Sequence, residues 1–131
     1  MTKVLFICAG NIGRSQMAEG FYNYFTQSNN AYSAGIDPTT PARYEHPSKE
    51  IIRVMNEESI DISKKEVKTL KEEMVNKADQ IFVMCKKERC PTYLINSGKA
   101  VYWDVTDPYK IRIEDIREIR DIIKERIHSI I

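Results

Sequence analysis

The sequence has little of the material that marks several large classes of protein. Its net charge is only +1 although 30% of its residues are charged, so no excess of one sign favours a nucleic acid or an anionic membrane as partner. No apolar run approaches the roughly 20 residues of a membrane-spanning helix, and the N-terminus lacks the pattern of a secretory signal. We expect a single domain, 1–131, that is cytoplasmic and long enough to fold without disulfide or metal staples.

Cysteine is also scarce, and the three thiols are Cys8, Cys85 and Cys90. An odd number of cysteines in a chain without an export signal is typical of a reducing compartment, and favours reactive over structural thiols. Free cysteine is also among the most buried residue types, so simple burial in a core is the alternative.

Apolar runs alternate along the chain with amphipathic segments. The runs KVLFIC, NAYSAG, DQIFVMC and KAVYWDV have the character of buried strands. Helices are predicted for SQMAEGFYNYF with Ser15 as N-cap, for SKEIIRVMNEE, for VKTLKEEMVNKA and for the tail from Ile111 onward. Continuous apolar strands between helices predict an α/β fold, a three-layer sandwich whose four-stranded parallel sheet is flanked by helices. Ligands of such sheets bind beyond the carboxyl ends of the strands.

The segment CAGNIGRS lies at one of these strand ends. Arg14 stands six positions after Cys8, and a helix is predicted to begin directly after it. Glycines and a helix N-terminus allow backbone amides to surround an oxyanion, and an arginine adds a planar pair of donors. That positive field would favour Cys8 as a nucleophilic thiolate, which the Ser15 hydroxyl could stabilise. The predicted oxyanion-binding residues are Ala9, Gly10, Asn11, Ile12, Gly13 and Arg14. A tight strand-to-helix turn without a ligand is the alternative.

The stretch VLFICAGNIGRSQMAEG resembles the low-molecular-weight protein tyrosine phosphatase superfamily, whose signature is Cys, five residues, Arg and Ser or Thr near the N-terminus. The segments YSAGI, HP, DIS and DP extend the resemblance over essentially the whole chain. Within the superfamily the chain is most similar to the thioredoxin-coupled arsenate reductases. GRSQMAEG has Gln where the phosphatases usually have Pro, and CKKERCP supplies two further cysteines.

The resemblance implies a relay of three thiols. Cys8 would form an adduct with arsenate, Cys85 would attack Cys8 and release arsenite, and Cys90 would attack Cys85. The resulting Cys85–Cys90 disulfide would be reduced by a thioredoxin-like partner. The lysine-rich loop between these two cysteines is expected to be flexible and to favour thiolates. The alternative is that Cys85 is a buried strand residue and Cys90 is incidental.

The chain departs from the family pattern at two places. The loop from Cys85 to Cys90 is shorter than in the family. Gly13 stands where most members carry a second cysteine, although an oxyanion loop needs only the backbone there.

The general acid of the family is the aspartate before proline, which is Asp107 here; Asp104 is the other nearby carboxylate. A turn aspartate preceding Pro108 is the alternative interpretation. The resemblance also implies that Tyr109 lines the mouth of the site.

Some reductases of this family bind a potassium ion, and the matching positions are Asn11, Glu19, Ser33 and Asp61. Their oxygen ligands suit a hard cation, but the same residues could form only a polar network that holds the loop. No tightly bound cofactor is expected, and the family is mostly monomeric.

Three hypotheses follow. The first is an arsenate reductase that uses Cys8, Arg14, Ser15, Asp107, Cys85 and Cys90. The second is a phosphatase that hydrolyses phosphotyrosine or aryl phosphates through a phosphocysteine, for which Cys8, Arg14 and Asp107 suffice. The third is a non-catalytic anion-binding module, which is disfavoured because no catalytic position is lost.

Overall fold

The structure, a computed structural model that describes residues 2–131, is built on a four-stranded parallel sheet. The strands are β1 (Val4–Cys8), β2 (Ala31–Gly35), β3 (Gln80–Val83) and β4 (Ala100–Tyr102). Their order across the sheet is β2-β1-β3-β4, so β1 lies in the interior. Parallel strands end at the same edge, and the segments after β1 and β3 therefore emerge side by side.

Strand β1 is buried over its whole length because both faces of the sheet are covered. Val4, Phe6 and Cys8 point into one hydrophobic cluster, and Leu5 and Ile7 point into the other. Since successive side chains of a strand alternate between faces, a strand covered on both sides has no polar position. This explains the continuous apolar run in the sequence.

Helices form the two outer layers. They are α1 (Arg14–Thr26), α2 (Thr40–Arg43), α3 (Lys49–Asn56), α4 (Glu72–Lys77), α5 (Thr92–Ile95) and α6 (Ile113–His128). Side chains of α1, α3 and α6 join the first cluster, and those of α4 and α5 join the second. The predicted three-layer α/β sandwich is confirmed. Among residues 2–131, no helix has both the length and the apolar character needed to cross a bilayer.

The segment before α4 differs from the prediction, which placed a helix over all of VKTLKEEMVNKA. The Gly35 amide donates to the Lys68 carbonyl (2.8 Å), and the Leu70 amide donates to the Gly35 carbonyl (2.7 Å). These bonds hold the segment extended beside the end of β2, so the helix begins only at Glu72. The start of α1 also differs, since the N-cap is Gly13 and not Ser15.

Gly35 lies directly beneath the loop that follows β1, and we expect Gly35→Ala to destabilise the protein. A Cβ at this position would lie 2.8 Å from the carbonyl carbon of Gly10, 2.9 Å from the Ala9 carbonyl oxygen and 2.9 Å from the Asn11 amide. Backbone cannot rotate away as a side chain can, so we expect a loss of about 1–3 kcal/mol in the free energy of unfolding. Urea denaturation measures it. Gly10→Ala is the control, since its nearest contact would be the Thr40 side chain at 3.4 Å. Equal stability of the two variants would contradict the prediction.

Candidate active site

Cys8 ends β1 at the base of a loop that folds back over its sulfur. The Asn11 amide donates to Cys8 Sγ at 3.3 Å, and the Ser15 hydroxyl oxygen lies 2.9 Å from the same sulfur. Asn11 takes a left-handed conformation with φ of 59°, which asparagine tolerates better than most residues. The Ser15 side chain therefore contacts the predicted nucleophile and does not cap the helix.

Arg14 is buried and fixed by backbone oxygens from two neighbouring segments. Its Nη1 donates to the carbonyl of Met84, after β3, and to the carbonyl of Val105, after β4, at 3.0 Å for the latter. Its Nη2 lies 3.9 Å from the Asp107 Oδ2 atom. The guanidinium is thus held by the strand ends beside the loop, and cannot swing away from it.

A cavity of about 230 Å³ opens above the sulfur, and Cys8, Arg14 and Asp107 all line it. The Asp107 side chain is 60% exposed, and its Oδ1 accepts a hydrogen bond from the Tyr109 amide at 3.1 Å. Asp104 instead lines a neighbouring cavity, together with Cys85. Of the two candidate acids, Asp107 is therefore the one that faces the Cys8 cavity.

The mouth of the cavity also includes residues for which the sequence gives no signal. Tyr44 and Arg43 line it together with Tyr109. Hydrogen bonding to Tyr109 raises the pKa of Tyr44, and Arg43 forms an ion pair of 3.5 Å with Asp37. The sequence around them is rich in proline and threonine, which predicts a loop, and no spacing in it marks a binding residue. The structure instead places Arg43 at the end of the short helix α2, with Tyr44 directly after it.

Cys85 and Cys90 lie close together beside this cavity. Their sulfurs are 4.0 Å apart, all three cysteines are free thiols, and a short 3-10 turn, Lys87–Arg89, separates the pair. Burial raises the pKa of Cys85 to about 12, with further contributions from Cys90 and Cys8 that outweigh Arg14. Burial also raises the pKa of Cys90. These directions are opposite to the expectation that the lysine-rich loop favours thiolates, because desolvation outweighs the nearby arginine charges of Arg14 at Cys85 and Arg89 at Cys90.

A buried polar network supports the loop from behind. The Asn11 side-chain amide donates to Ser15 Oγ (2.7 Å) and to Ser33 Oγ (3.0 Å), and the Ser33 hydroxyl donates to Glu19 Oε1 (2.7 Å). Asp61 does not join them: its carboxylate is exposed and accepts the amide of Ser63 (2.9 Å), which caps a local turn. Three of the four positions expected for potassium come together, and the fourth does not.

The fold and this loop define a class of enzyme that binds a tetrahedral oxyanion at the edge of a parallel sheet and attacks it with a thiol. Comparison with known proteins places the chain within that class. The model of the family described as low molecular weight phosphotyrosine protein phosphatase matches residues 3–131. The chain belongs to this family.

Relatives within the family include both reductases and phosphatases. The chain is 35% identical to an arsenate reductase of Halalkalibacterium halodurans, over 96% of this chain and 92% of that protein. It superposes on a low molecular weight protein tyrosine phosphatase from T. tengcongensis with a TM-score of 0.84 and 29% identity, covering 98% of this chain and 97% of the other. An arsenate reductase in a phosphate-binding state gives a TM-score of 0.83 and 27% identity, with 98% and 95% covered.

Proposed function

We propose that the protein is an arsenate reductase that passes electrons from Cys85 and Cys90 to an arsenate bound by Cys8. The observation that carries the proposal is the Cys85–Cys90 pair, with sulfurs 4.0 Å apart beside the oxyanion cavity. A hydrolase would have no use for these two thiols. The similarity to arsenate reductases over nearly the whole chain supports the same assignment.

The first step joins arsenate to the enzyme. The Cys8 thiolate attacks arsenic, and one arsenate oxygen leaves as water after it takes up a proton, for which Asp107 is the donor facing the cavity. The remaining oxygens accept hydrogen bonds from the loop amides, and Arg14 supplies the positive charge beside them. Arsenic is still As(V) in this Cys8 adduct.

The second step is the reduction. The Cys85 sulfur attacks Cys8 Sγ and gives its proton to an oxygen of the departing group. A Cys8–Cys85 disulfide forms, and the electron pair of the sulfur–arsenic bond goes to arsenic, which leaves as arsenite. Cys90 then gives its proton to solvent and attacks Cys85, which releases the Cys8 thiolate and leaves a Cys85–Cys90 disulfide. The two electrons gained by arsenic are those given up by the Cys85 and Cys90 thiols.

The raised pKa of Cys85 fits this sequence of events. A protonated thiol is a poor nucleophile, so Cys85 stays unreactive in the resting enzyme and must give up its proton when it attacks. The partial burial of this thiol, which raises its pKa, also shields it from other oxidants.

The reductant in this proposal is a thioredoxin-like dithiol protein. Lys86, Lys87 and Arg89 are exposed around the pair, which leaves the turn that carries the disulfide accessible. We propose that the enzyme acts as a monomer in the cytoplasm, where a reducing environment keeps its three thiols free.

A second function is favoured by one observation, namely that the cavity alone carries what a phosphatase needs. Cys8, Arg14 and Asp107 line it together, and Tyr44 and Tyr109 stand at its mouth, where an aryl group would lie. In that alternative, water hydrolyses a phosphocysteine at Cys8, and the other two thiols take no part in the reaction.

Cys90→Ser separates the two functions. We expect steady-state arsenate reduction with thioredoxin, thioredoxin reductase and NADPH to fall at least about 100-fold, because turnover stops at the Cys8–Cys85 disulfide. Hydrolysis of p-nitrophenyl phosphate by the same variant should stay within about a factor of three. Because the Cys90 side chain is buried, the substitution could disturb folding, and the retained hydrolysis shows that the variant is folded. Unchanged arsenate reduction in this variant would show that the relay is wrong.

A further inference from the structure

The network behind the oxyanion loop ends in a buried carboxylate. Glu19 lies on α1 with its side chain 5% exposed, and it accepts the hydroxyl of Ser33. Ser33 in turn accepts from Asn11, whose own backbone amide donates to Cys8 Sγ. The charge on Glu19 is thus connected to the nucleophile through two side chains. A buried carboxylate is costly unless an opposite charge compensates for it.

Two lysines of the extended segment before α4 supply that charge. Lys65 Nζ lies 3.2 Å from Glu19 Oε2, and Lys68 Nζ lies 3.9 Å from Glu19 Oε1. The Lys68 side chain is only 15% exposed. Its ammonium also donates to the Glu66 carbonyl (3.0 Å) and lies 4.8 Å from the centre of the Tyr32 ring.

Lys68 also holds the loop directly. Its backbone amide donates to the side-chain oxygen of Asn11 at 2.9 Å, and the Gln16 side chain donates to that same oxygen at 3.1 Å. Asn11 Oδ1 is therefore occupied by two donors. A single residue thus positions Asn11 through its backbone and balances Glu19 through its side chain.

These contacts leave a potassium ion without a site. A hard cation would need the Glu19 carboxylate and neighbouring oxygens such as the Glu66 carbonyl, and the Lys68 ammonium lies against both. Asp61, the fourth expected ligand, is turned to Ser63. The residues present do not fit the ion.

We propose that the ammonium groups of Lys65 and Lys68 take the place of a bound cation behind the oxyanion loop, and that the enzyme works without potassium. The two ammonium groups neutralise Glu19, and this keeps Ser33 and Asn11 in the arrangement that places the Asn11 amide on Cys8. The proposal rests on the loop of the proposed function but not on the choice between reductase and phosphatase.

The wild-type protein gives the first test. We measure its thermal midpoint, its Kd for inorganic phosphate and its hydrolysis of p-nitrophenyl phosphate in KCl and in choline chloride at equal ionic strength. Choline is too large to occupy a site for potassium. The three quantities should nevertheless be the same in both salts, because the lysines make a bound inorganic cation unnecessary. A higher midpoint together with tighter phosphate binding in KCl alone would overturn the proposal.

The double variant Lys65→Met/Lys68→Met should acquire the dependence that the wild type lacks. In choline chloride, we expect a lower thermal midpoint and phosphate binding about tenfold weaker, because Glu19 is left as an unpaired buried charge. Potassium should restore both, since the carboxylate is then free to bind it. Failure of potassium to restore them, or behaviour like the wild type in choline chloride, would overturn the proposal.

Two further variants control for the loss of positive charge and for a failure to fold. Lys64→Met/Lys71→Met removes the same charge from exposed positions that form no ion pair within the part of the chain that the structure describes, and it should match the wild type. If the first double variant does not fold in choline chloride, adding Glu19→Gln should restore folding there, because no charge then remains to be balanced. A triple variant that stays unfolded would contradict the proposal. These readouts do not involve arsenate, so they can succeed or fail independently of the reductase assignment.

Discussion

Replacing Cys8 by serine is expected to lower both arsenate reduction and aryl phosphate hydrolysis by at least about 10³-fold. Both reactions begin with attack by this sulfur, and a hydroxyl is a much weaker nucleophile than a thiolate at neutral pH. The Asn11 amide and the Ser15 hydroxyl are placed to stabilise charge on the atom at this position. They do not supply a base strong enough to make a serine reactive.

The two activity assays and the phosphate Kd of the variant measure this effect. Phosphate should still bind within about tenfold of the wild-type affinity, because the loop amides and Arg14 are unchanged. Cys90→Ser is the matched control, since it makes the same substitution at another cysteine but should retain hydrolysis of the aryl phosphate. A Cys8→Ser variant that kept either activity would overturn the assignment of the whole site.

Arg14→Lys is expected to reduce kcat about 10²- to 10³-fold in both assays although the charge is kept. The Nη1 atom of the guanidinium donates to the carbonyls of Met84 and Val105, and the Nη2 atom lies near Asp107. An ammonium group cannot hold two strand ends and present a planar pair of donors to an oxyanion at once. The loss should therefore appear in kcat as well as in substrate affinity.

Steady-state kinetics and thermal unfolding together check this prediction. Arg43→Lys is the control, because Arg43 lines the same cavity but is exposed, and its ion pair is with the Asp37 carboxylate. Its kcat should stay within about a factor of three. If Arg14→Lys had no larger effect than Arg43→Lys, Arg14 would not be the oxyanion clamp.

The fold could be predicted from the sequence because its signals are local. The continuous apolar character of β1 reflects burial on both faces, and the isoleucines of α6 recur at helical spacing. The start of α4 could not be predicted in this way. Lys68 and Leu70 are held extended by bonds to Gly35, a contact distant in sequence that overrides the local helical pattern.

The same limit applies to the site. The sequence places Cys8 and Arg14 together because the loop that joins them is one continuous segment, and in the structure both line the same cavity. The sequence also predicts the contact between the Ser15 hydroxyl and Cys8, which the structure shows. The prediction of Ser15 as the helix N-cap is wrong, because the N-cap is Gly13. Tyr44 at the cavity mouth and Lys68 on Glu19 reach the site from separate segments, and only the folded chain brings them there.

The interior position of β1 has a consequence for local unfolding. This strand lies between β2 and β3 with every residue buried, so its backbone opens only when the sheet itself opens. The turn between Cys85 and Cys90 lies outside the sheet and is mostly exposed, and such segments open at little cost in free energy. The oxyanion loop therefore starts from an interior strand of the sheet. Of the three sulfurs that exchange partners, Cys8 is held by the sheet, whereas Cys85 and Cys90 flank a turn that can open without disturbing it.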